Sequence, residues 1–305
     1  MEMYIWSTLI VLSNFSFYLG FVSIASYTFL GQVIDQIQQK AQQKTTTTPS
    51  TFLKLINGWI FVGLVANFIW FIASTGAMAE DGIRGALDSD MIELMWGSSI
   101  GEVTFYRSIG FSIAIFAFVF FVYSKPTKIK RYVLHLLYLC SLLLLAYSFS
   151  VLGHVSELAW LERITLIFHV LLIAWWMGAL LPLRYACSVL AHNELFILME
   201  KFGKQAVPMV TLIIIAGLWL SIQLVGSIDA LVTTSYGQVL LFKLILVNLI
   251  LLLAARHKFK LVPALNNSTG REMLSKSISI EIVIALAILV TTSALTSLVG
   301  PESYL

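Results

Sequence analysis

The feature that most constrains the fold of this chain is the alternation of charge between its apolar segments. Eight long apolar runs divide the 305 residues, and the loops after the odd-numbered runs hold all but four of the 19 Lys and Arg residues. Cationic loops stay on the cytoplasmic side of a membrane, because moving their charge across the bilayer is costly. The alternation therefore predicts eight crossings with both termini on the outer side. The basic residues of the inner loops are Lys40, Lys44, Lys54, Lys125, Lys128, Lys130, Arg131, Arg184, Lys201, Lys204, Arg256, Lys258, Lys260, Arg271 and Lys276.

Composition excludes a soluble globular protein. Hydrophobic residues make up 59% of the chain and charged residues only 11%, whereas a soluble domain carries about 25% charged residues. The net charge of +3 is small, and the basic residues are accounted for by topology, so no nucleic-acid partner is expected. Cys140 lies within the fourth run and Cys187 at the inner end of the fifth, so we expect no disulfide.

The apolar runs predict an all-α integral membrane protein. Each run reaches roughly the 20 residues that a helix needs to cross about 30 Å of hydrocarbon, and none shows the period-two alternation of a strand. We divide the chain into a first four-helix half, residues 1–150, with an acidic outer loop near 78–103, and a second four-helix half, residues 151–305. The predicted helices lie near residues 5–30, 55–77, 104–124, 132–153, 163–185, 206–227, 238–256 and 279–299.

Two helix starts at the outer face are alike and predict an internal repeat. The third helix begins within SSIGEVTFYRSIGFS and the seventh within TSYGQVLLFKLILVN, so Gly101 and Gly237 are each followed six positions later by a cation, Arg107 or Lys243. Four crossings return a chain to its starting side, so the two copies would be parallel. The alternative is a chance likeness between two helix starts.

Three side chains of the fifth helix could bind a metal ion together with a histidine at its outer mouth. His169 lies six residues into the predicted helix, about 9 Å below its outer end, and His154 ends the fourth helix on the same side. Trp176 shares a helix face with His169, and Met177 lies close to that face. Imidazole, thioether and indole suit a soft monovalent cation, above all Cu(I). Alternatively, His169 hydrogen-bonds a neighbouring helix and His154 is an interfacial residue.

The acidic outer loop holds two further soft ligands. Met91 and Met95 are four residues apart in DMIELMWG, so in a helix their thioethers share one face and could capture Cu(I). The alternative is an amphipathic segment that lies on the membrane with its methionines against the lipid.

Four charged residues near helix ends are candidates for structural or gating roles. Arg107 and Lys243 lie just inside their helices, and we expect each to extend its cation outward to the interface. The spacing also allows an ion pair between Arg107 and Glu102. We expect Glu281, near the inner end of the eighth helix, to pair with Lys276 or another inner cation. The remaining histidines, which we expect at the inner interface, are His135, His192 and His257.

The sequence favours a protein that is not an enzyme. It contains no phosphate-binding Gly-Lys motif, no HExxH and no CxxC. A P-type pump would need a large cytoplasmic ATPase portion, and no loop between the apolar runs is long enough to hold one.

Several strings of the second half, with one of the first, together form a family signature. They are Gly153-His154; FHVLLIAWWMGALLPL with His169, Trp176, Gly178 and Leu181; YGQVLLFK with Tyr236, Gly237 and Lys243; LLLAARHKFKLVPAL with Pro263 and Leu265; Glu281; Pro301; and IGEVTFYR with Gly101 and Arg107. In order and topology the chain resembles the CopD (copper resistance protein D) family of bacterial inner-membrane proteins, most strongly over residues 150–301. The family usually has Asn in the string after the seventh helix, where this chain has Arg256-His257.

The resemblance implies copper handling, commonly as uptake from the periplasm and sometimes alongside a periplasmic copper carrier. The resulting hypothesis is Cu(I) transport across, or Cu(I) binding at, the bacterial inner membrane, with the copper ion and the lipid bilayer as partners. Cu(I) would be captured near His154 and the methionine loop and then held by His169 with Trp176 or Met177. Two alternatives are a haem b-binding redox protein with His154 and His169 as ligands, and a copper sensor or scaffold that does not transport.

Overall fold

Among the residues that the structure describes, eight helices are long and apolar enough to cross a membrane, which confirms the predicted number of such helices. The structure is a computed structural model that describes residues 2–40, 50–122, 127–152, 154–265 and 268–299. Within these ranges it contains no strand. All helices except the short α3, α4 and α9 are crossing helices, and in chain order they are α1 (Glu2–Lys40), α2 (Ser50–Ala79), α3 (Gly82–Ala86), α4 (Ser89–Trp96), α5 (Ser99–Ala117), α6 (Lys128–Tyr147), α7 (Trp160–Val189), α8 (His192–Val225), α9 (Ile228–Thr233), α10 (Ser235–Arg256) and α11 (Ser268–Ser297).

Helices α8 and α11 begin well before the apolar runs that mark them in the sequence. The predicted sixth helix, 206–227, begins already at His192, and the predicted eighth, 279–299, begins at Ser268. Hydropathy marks only the part of a helix that lipid surrounds, whereas polar helix formers continue it into water. The ion pairs Glu200–Lys204 (2.8 Å) and Glu272–Lys276 (2.7 Å) stabilise the two extensions as i, i+4 pairs. His192 therefore starts a helix rather than lying in a loop.

The acidic outer loop folds into the short helices α3 and α4. Asp88 caps α4, because its carboxylate accepts hydrogen bonds from the backbone N–H groups of Asp90 and Met91. The Ser98 hydroxyl caps α5 in the same way by accepting from the Ile100 N–H at 3.2 Å. The helical conformation on which the methionine hypothesis depends is therefore present.

The centre of the bundle is built on close approaches to α1. A Cβ atom added at Gly20 would lie 2.9 Å from the Gly63 Cα of α2 and 2.9 Å from the Phe111 ring of α5. A Cβ atom added at Gly178 of α7 would lie 2.9 Å from the backbone nitrogen of Ser26. Small residues let helix backbones come this close within a membrane protein. Helix α1 is thus held tightly between α2, α5 and α7.

Helices α1 and α11 are joined by hydrogen bonds between the first third of α1 and the last turns of α11. The Asn14 Nδ2 donates to the Ser297 Oγ at 2.8 Å, and the Ser293 Oγ donates to the backbone carbonyl of Val11 at 2.6 Å. The first third of α1 therefore lies beside the end of α11, so the start of the first crossing helix and the end of the last are close together.

Helices α8 and α10 lie at the edge of the bundle. Only 6% of the apolar stretch of α8 and 11% of that of α10 is buried, against 50% for α1 and 44% for α5 and α11. Helix α8 packs mainly against α7, and α10 packs mainly against α11. The crossing helices of the first half thus form the interior of the bundle together with α7 and α11. Helices α8 and α10 lie outside this interior.

Helices α5 and α10 begin and end alike. Each follows a short helix, starts from a hydroxyl N-cap, and has a glycine three residues later that packs against backbone carbonyls of the short helix with no room for a Cβ atom. Each then passes into a π-helical turn at its inner end, a feature that is frequent at functional sites. The corresponding pairs are Ser98 and Thr234, Gly101 and Gly237, and Phe118–Val122 and His257–Leu261.

Candidate functional site

His169 faces the neighbouring helix α8 in the outer half of the bundle. A Cβ atom added at Gly217 would lie 3.0 Å from the His169 Cε1, so the glycine makes room for the imidazole. The ring reaches the backbone of Ile213, one turn away on α8, and the ammonium group of Lys243 in α10 is close enough to act on it electrostatically. The His169 Nδ1 is buried and has no hydrogen-bond partner among the described residues. One nitrogen of the imidazole is therefore open to a ligand.

Trp176 and Met177 lie deeper along α7. Both are buried in the main hydrophobic cluster of the bundle. Because α7 is a continuous helix from Trp160 to Val189, the seven residues from His169 to Trp176 span two turns, or about 10.5 Å along the axis. His169 and the Trp176–Met177 pair therefore form successive positions along one helix face rather than one coordination sphere. Among the described residues, no three His, Cys, Asp or Glu side chains come together as a metal cluster.

Glu162 is a site residue that the sequence analysis did not identify. It is only 8% exposed, and its Oε1 accepts a hydrogen bond from the Gln223 Nε2 of α8 at 3.2 Å. Its Oε2 is buried without a partner among the described residues. The sequence predicts that this helix begins at residue 163, so Glu162 would lie before it. In the structure α7 begins at Trp160, and Glu162 in its first turn contacts α8. The spacing in the sequence could have indicated this residue. Glu162 precedes His169 by seven residues, as His169 precedes Trp176, so all three lie on one face of a helix.

Arg107 lies inside the first half, so the predicted outward extension and the predicted ion pair with Glu102 are both wrong. The side chain is 5% exposed. Its Nε donates to the Ser148 Oγ and its Nη1 to the Asn14 Oδ1, both at 3.3 Å. The guanidinium carbon lies 3.8 Å from the centre of the Phe17 ring, with two more aromatic rings around it. Hydrogen bonds and aromatic faces from other helices thus replace water around this cation.

Glu102 lies apart from Arg107, on the exposed side of α5. It lines an open outer cavity of about 350 Å³ together with Trp96 and Phe105. The same cavity borders GSSIG (residues 97–101), which has the GxSxG spacing of hydrolase nucleophile elbows. In those enzymes the motif joins a strand to a helix, whereas here it joins α4 to α5 and supplies the N-cap Ser98. The string is therefore a helix cap in this protein.

Lys243, the counterpart of Arg107 in the sequence, has a different environment. It is half-buried in α10 and makes no hydrogen bond or ion pair with any residue that the structure describes. Its ammonium group lies near enough to the His169 imidazole for an electrostatic interaction between them. The second half therefore holds an unpaired cation beside its histidine.

Glu281 pairs with His257, so of the predicted partners Lys276 is wrong and the alternative, another basic residue at the same end, is the one found. The Glu281 Oε2 lies 3.1 Å from the His257 Nδ1, and the carboxylate is 3% exposed. The His257 Nε2 lies 2.7 Å from the Ser277 Oγ. Lys276 instead pairs with Glu272 on the exposed side of α11. His257 therefore turns inward from the π-helical turn and links α10 to α11 at their inner ends.

The outer capture residues are described only in part. Met95 is 5% exposed, whereas Met91 on the same helix is half-buried, so Met91 has the more accessible thioether. His154 begins a short 3-10 turn, His154–Glu157. The side chain of His154, together with Gly153 and Pro301 of the family signature, lies outside the described part of the chain.

Comparison with protein families decides the kind of protein that carries these features. A model described as copper resistance protein D matches residues 197–295, and a model described as copper resistance protein D-like, N-terminal domain, matches residues 3–161. The chain belongs to the CopD (copper resistance protein D) family. No curated protein and no solved structure matches it. As a CopD family member with eight apolar helices, the protein is a multi-pass membrane protein related to copper resistance.

The two matched ranges of this CopD family protein leave most of α7 between them. The N-terminal range covers α1–α6 and ends just before Glu162, and the second range begins within α8. His169, Trp176 and Met177 lie in the intervening residues. Arg107, Lys243 and Glu281 lie within the matched ranges.

Proposed function

We propose that this CopD family protein carries Cu(I) across the bacterial inner membrane, with His169 as its principal ligand. The observation that carries the proposal is the buried, unpartnered Nδ1 of His169, which faces α8 in a protein of a copper resistance family. Neutral imidazole is a good ligand for copper. A buried ligand atom without a hydrogen bond is costly to maintain unless a ligand occupies it during function.

The positions of Trp176 and Met177 support movement along α7. A Cu(I) ion released from His169 would meet the Met177 thioether and the Trp176 ring two turns deeper, and both are soft partners for a monovalent cation. Conduction requires binding that is strong enough to admit an ion and weak enough to release it. Positions with few ligands each, about 10.5 Å apart, meet that requirement better than one closed site.

Capture at the outer face involves Met91, Met95 and His154 in this proposal. Thioether and imidazole groups select Cu(I) over the harder cations of the periplasm. The accessible thioether of Met91 supports its role, whereas Met95 would have to emerge from its buried position. A periplasmic copper carrier is a suitable donor to such a loop.

The orientation that this transport requires is N-out and C-out. It is supported by the basic inner loops and by the α1–α11 hydrogen bonds, which keep the two ends of the bundle on one side. A reporter fused after Leu305 should lie in the periplasm, and one inserted at Thr46, in a segment outside the described residues, should lie in the cytoplasm. Reporters on the same side would overturn the orientation.

We also propose that the halves 1–150 and 151–305 are parallel repeats with different functions, the first as a structural framework and the second in ion handling. The matching starts and π-helical turns of α5 and α10 support the repeat. At the inner end of the second half, the His257–Glu281 pair holds α10 and α11 together in this proposal. Opening it would release an ion that has passed along α7.

The decisive experiment compares His169→Ala with His192→Ala. Removing the principal ligand of a site costs at least about tenfold in Cu(I) affinity, or about 1.4 kcal/mol. We expect that loss for His169→Ala and no loss for His192→Ala, because His192 begins α8 in its inner extension. Competition with a Cu(I) chelator measures affinity, and Cu(I) uptake into proteoliposomes measures transport, on variants shown to remain folded.

Three other results would reject the proposal. Equal Cu(I) affinities for the two variants would make His169 a packing residue. Binding that depends on His169 without uptake by the wild-type protein would favour a sensor or scaffold. A Soret band in the visible spectrum of the purified protein would favour haem b.

A further inference from the structure

We infer that Glu162 and Gln223 form an outer cation site that passes Cu(I) to His169. This inference rests on the proposed function. It adds a cation position closer to the start of α7 than His169 is, at the same interface, or seam, between α7 and α8. The family match assigns no role to this pair, whose side chains meet across the two helices.

The first argument is the state of the Glu162 carboxylate. Its Oε1 is fixed by the Gln223 Nε2 at 3.2 Å, while its Oε2 is buried and has no partner among the described residues. An ionisable side chain within a membrane-spanning helix is expensive and is retained mainly for function. A cation at Oε2 would compensate the carboxylate where no other side chain does so.

The second argument is position. Glu162 lies in the first turn of α7, at its outer end, and His169 lies two turns deeper, about 10.5 Å along the axis. Gln223 and Gly217 lie on the facing stretch of α8, so both positions open onto the same interface. Two unpartnered buried atoms, the Glu162 Oε2 and the His169 Nδ1, therefore follow one another along one seam.

The third argument is the chemistry of the ligands. Carboxylate oxygen is a hard ligand and holds Cu(I) less firmly than imidazole or thioether does. No third His, Cys, Asp or Glu joins Glu162 within the described residues. The site is thus suited to brief occupation before transfer inward, because an admitting site must also release its ion.

The test uses Glu162→Gln, with Glu157→Gln as a matched control. Glutamine keeps a carbonyl oxygen for the Gln223 amide but removes the charge, so the fold is retained. Glu157 is an exposed carboxylate three residues before the start of α7. Infrared difference spectra with and without added Cu(I), at Cu(I) levels that saturate His169, report carboxylate coordination without requiring transport.

A carboxylate band that shifts on Cu(I) addition is expected in the wild type and in Glu157→Gln, and is expected to be absent in Glu162→Gln. Uptake at limiting Cu(I) should fall about tenfold in Glu162→Gln alone, the scale of local cation enrichment by a carboxylate. The Cu(I) affinity at His169 should be unchanged.

Several outcomes would overturn this inference. They are an unchanged infrared band in Glu162→Gln, an uptake rate equal to that of the wild type, or an equal loss in Glu157→Gln, which would indicate general surface charge. Failure of the wild-type protein to take up Cu(I) would reject the proposed transport, and the infrared band would still decide whether Glu162 binds the cation.

Discussion

Arg107 and Lys243 occupy the same place in two similar helix starts, yet they have opposite surroundings. Arg107 is enclosed by Phe17 and two other aromatic rings and by two hydrogen bonds. Lys243 is half-buried and has no such partner within the described part of the chain. The difference follows from packing, since α5 lies in the interior and α10 at its edge. The first half has turned its cation into a structural element, and the second half has kept its cation free beside His169.

This comparison indicates a division of labour between the halves. A cation held by aromatic faces on several sides cannot move without breaking the packing of α1, α2 and α5. A cation without partners can move when an ion arrives nearby. The proposed roles, a framework in the first half and ion handling in the second, would therefore follow from where α5 and α10 lie in the bundle.

The largest effect should come from removing Arg107. Arg107→Ala leaves a cavity next to Phe17 and an unsatisfied Asn14 Oδ1, at a cost of about 2–4 kcal/mol in the free energy of unfolding. Lys243→Ala, which removes no hydrogen bond, should cost less than about 1 kcal/mol. Thermal unfolding of both variants in detergent measures the difference. Equal losses would break the comparison between the two cations.

An intermediate effect is expected on copper affinity when the charge of Lys243 is removed. A like charge near the His169 site opposes Cu(I) by on the order of 1 kcal/mol at an effective dielectric constant of about 20. Lys243→Met should therefore raise the Cu(I) affinity about threefold to tenfold. The control is Lys204→Met, a 74% exposed lysine of α8. Chelator competition on both variants measures the affinity, and an unchanged value for Lys243→Met would show that the ammonium group plays no part at the site.

The smallest effect concerns the one proposed copper role of the first half. Met91→Leu preserves volume and apolarity at a folding cost below about 1.5 kcal/mol, but leucine cannot coordinate Cu(I). We expect uptake at limiting copper to slow about twofold and to recover as copper is raised. Met95→Leu, at a buried position of the same helix, should slow uptake less than Met91→Leu does. If neither variant slows uptake, the first half serves only as framework and α4 only covers the outer face.

Properties that depend on local stretches of the chain could be predicted well. The eight crossings follow from hydropathy, and the helical Met91–Met95 segment follows from its spacing and its Asp88 cap. The family assignment was also predicted, because a family signature is a property of the string itself. The helix ends were predicted less well, because hydropathy does not mark polar helical turns such as the first turns of α8.

The partners of the charged residues could not be predicted. From the sequence, Arg107 is expected to extend outward or to pair with Glu102, and Glu281 to pair with Lys276 or another inner cation. The actual partners are Asn14 and Ser148 for the first and His257 for the second. Neighbours on one helix lie on different faces unless they are three or four residues apart, so nearness along the chain was a poor guide.

The sequence by itself determined how many helices are apolar enough to cross a membrane and which family the chain belongs to, because apolar length and motif strings are local quantities. The tertiary structure alone decided that Glu162 meets Gln223, 61 residues away, and that Arg107 meets Asn14, 93 residues away. Which helix face turns inward depends on the close packing of all eight crossings at once, as at Gly20 and Gly178. That packing decides whether a charged side chain stabilises the fold or remains available to act on a ligand.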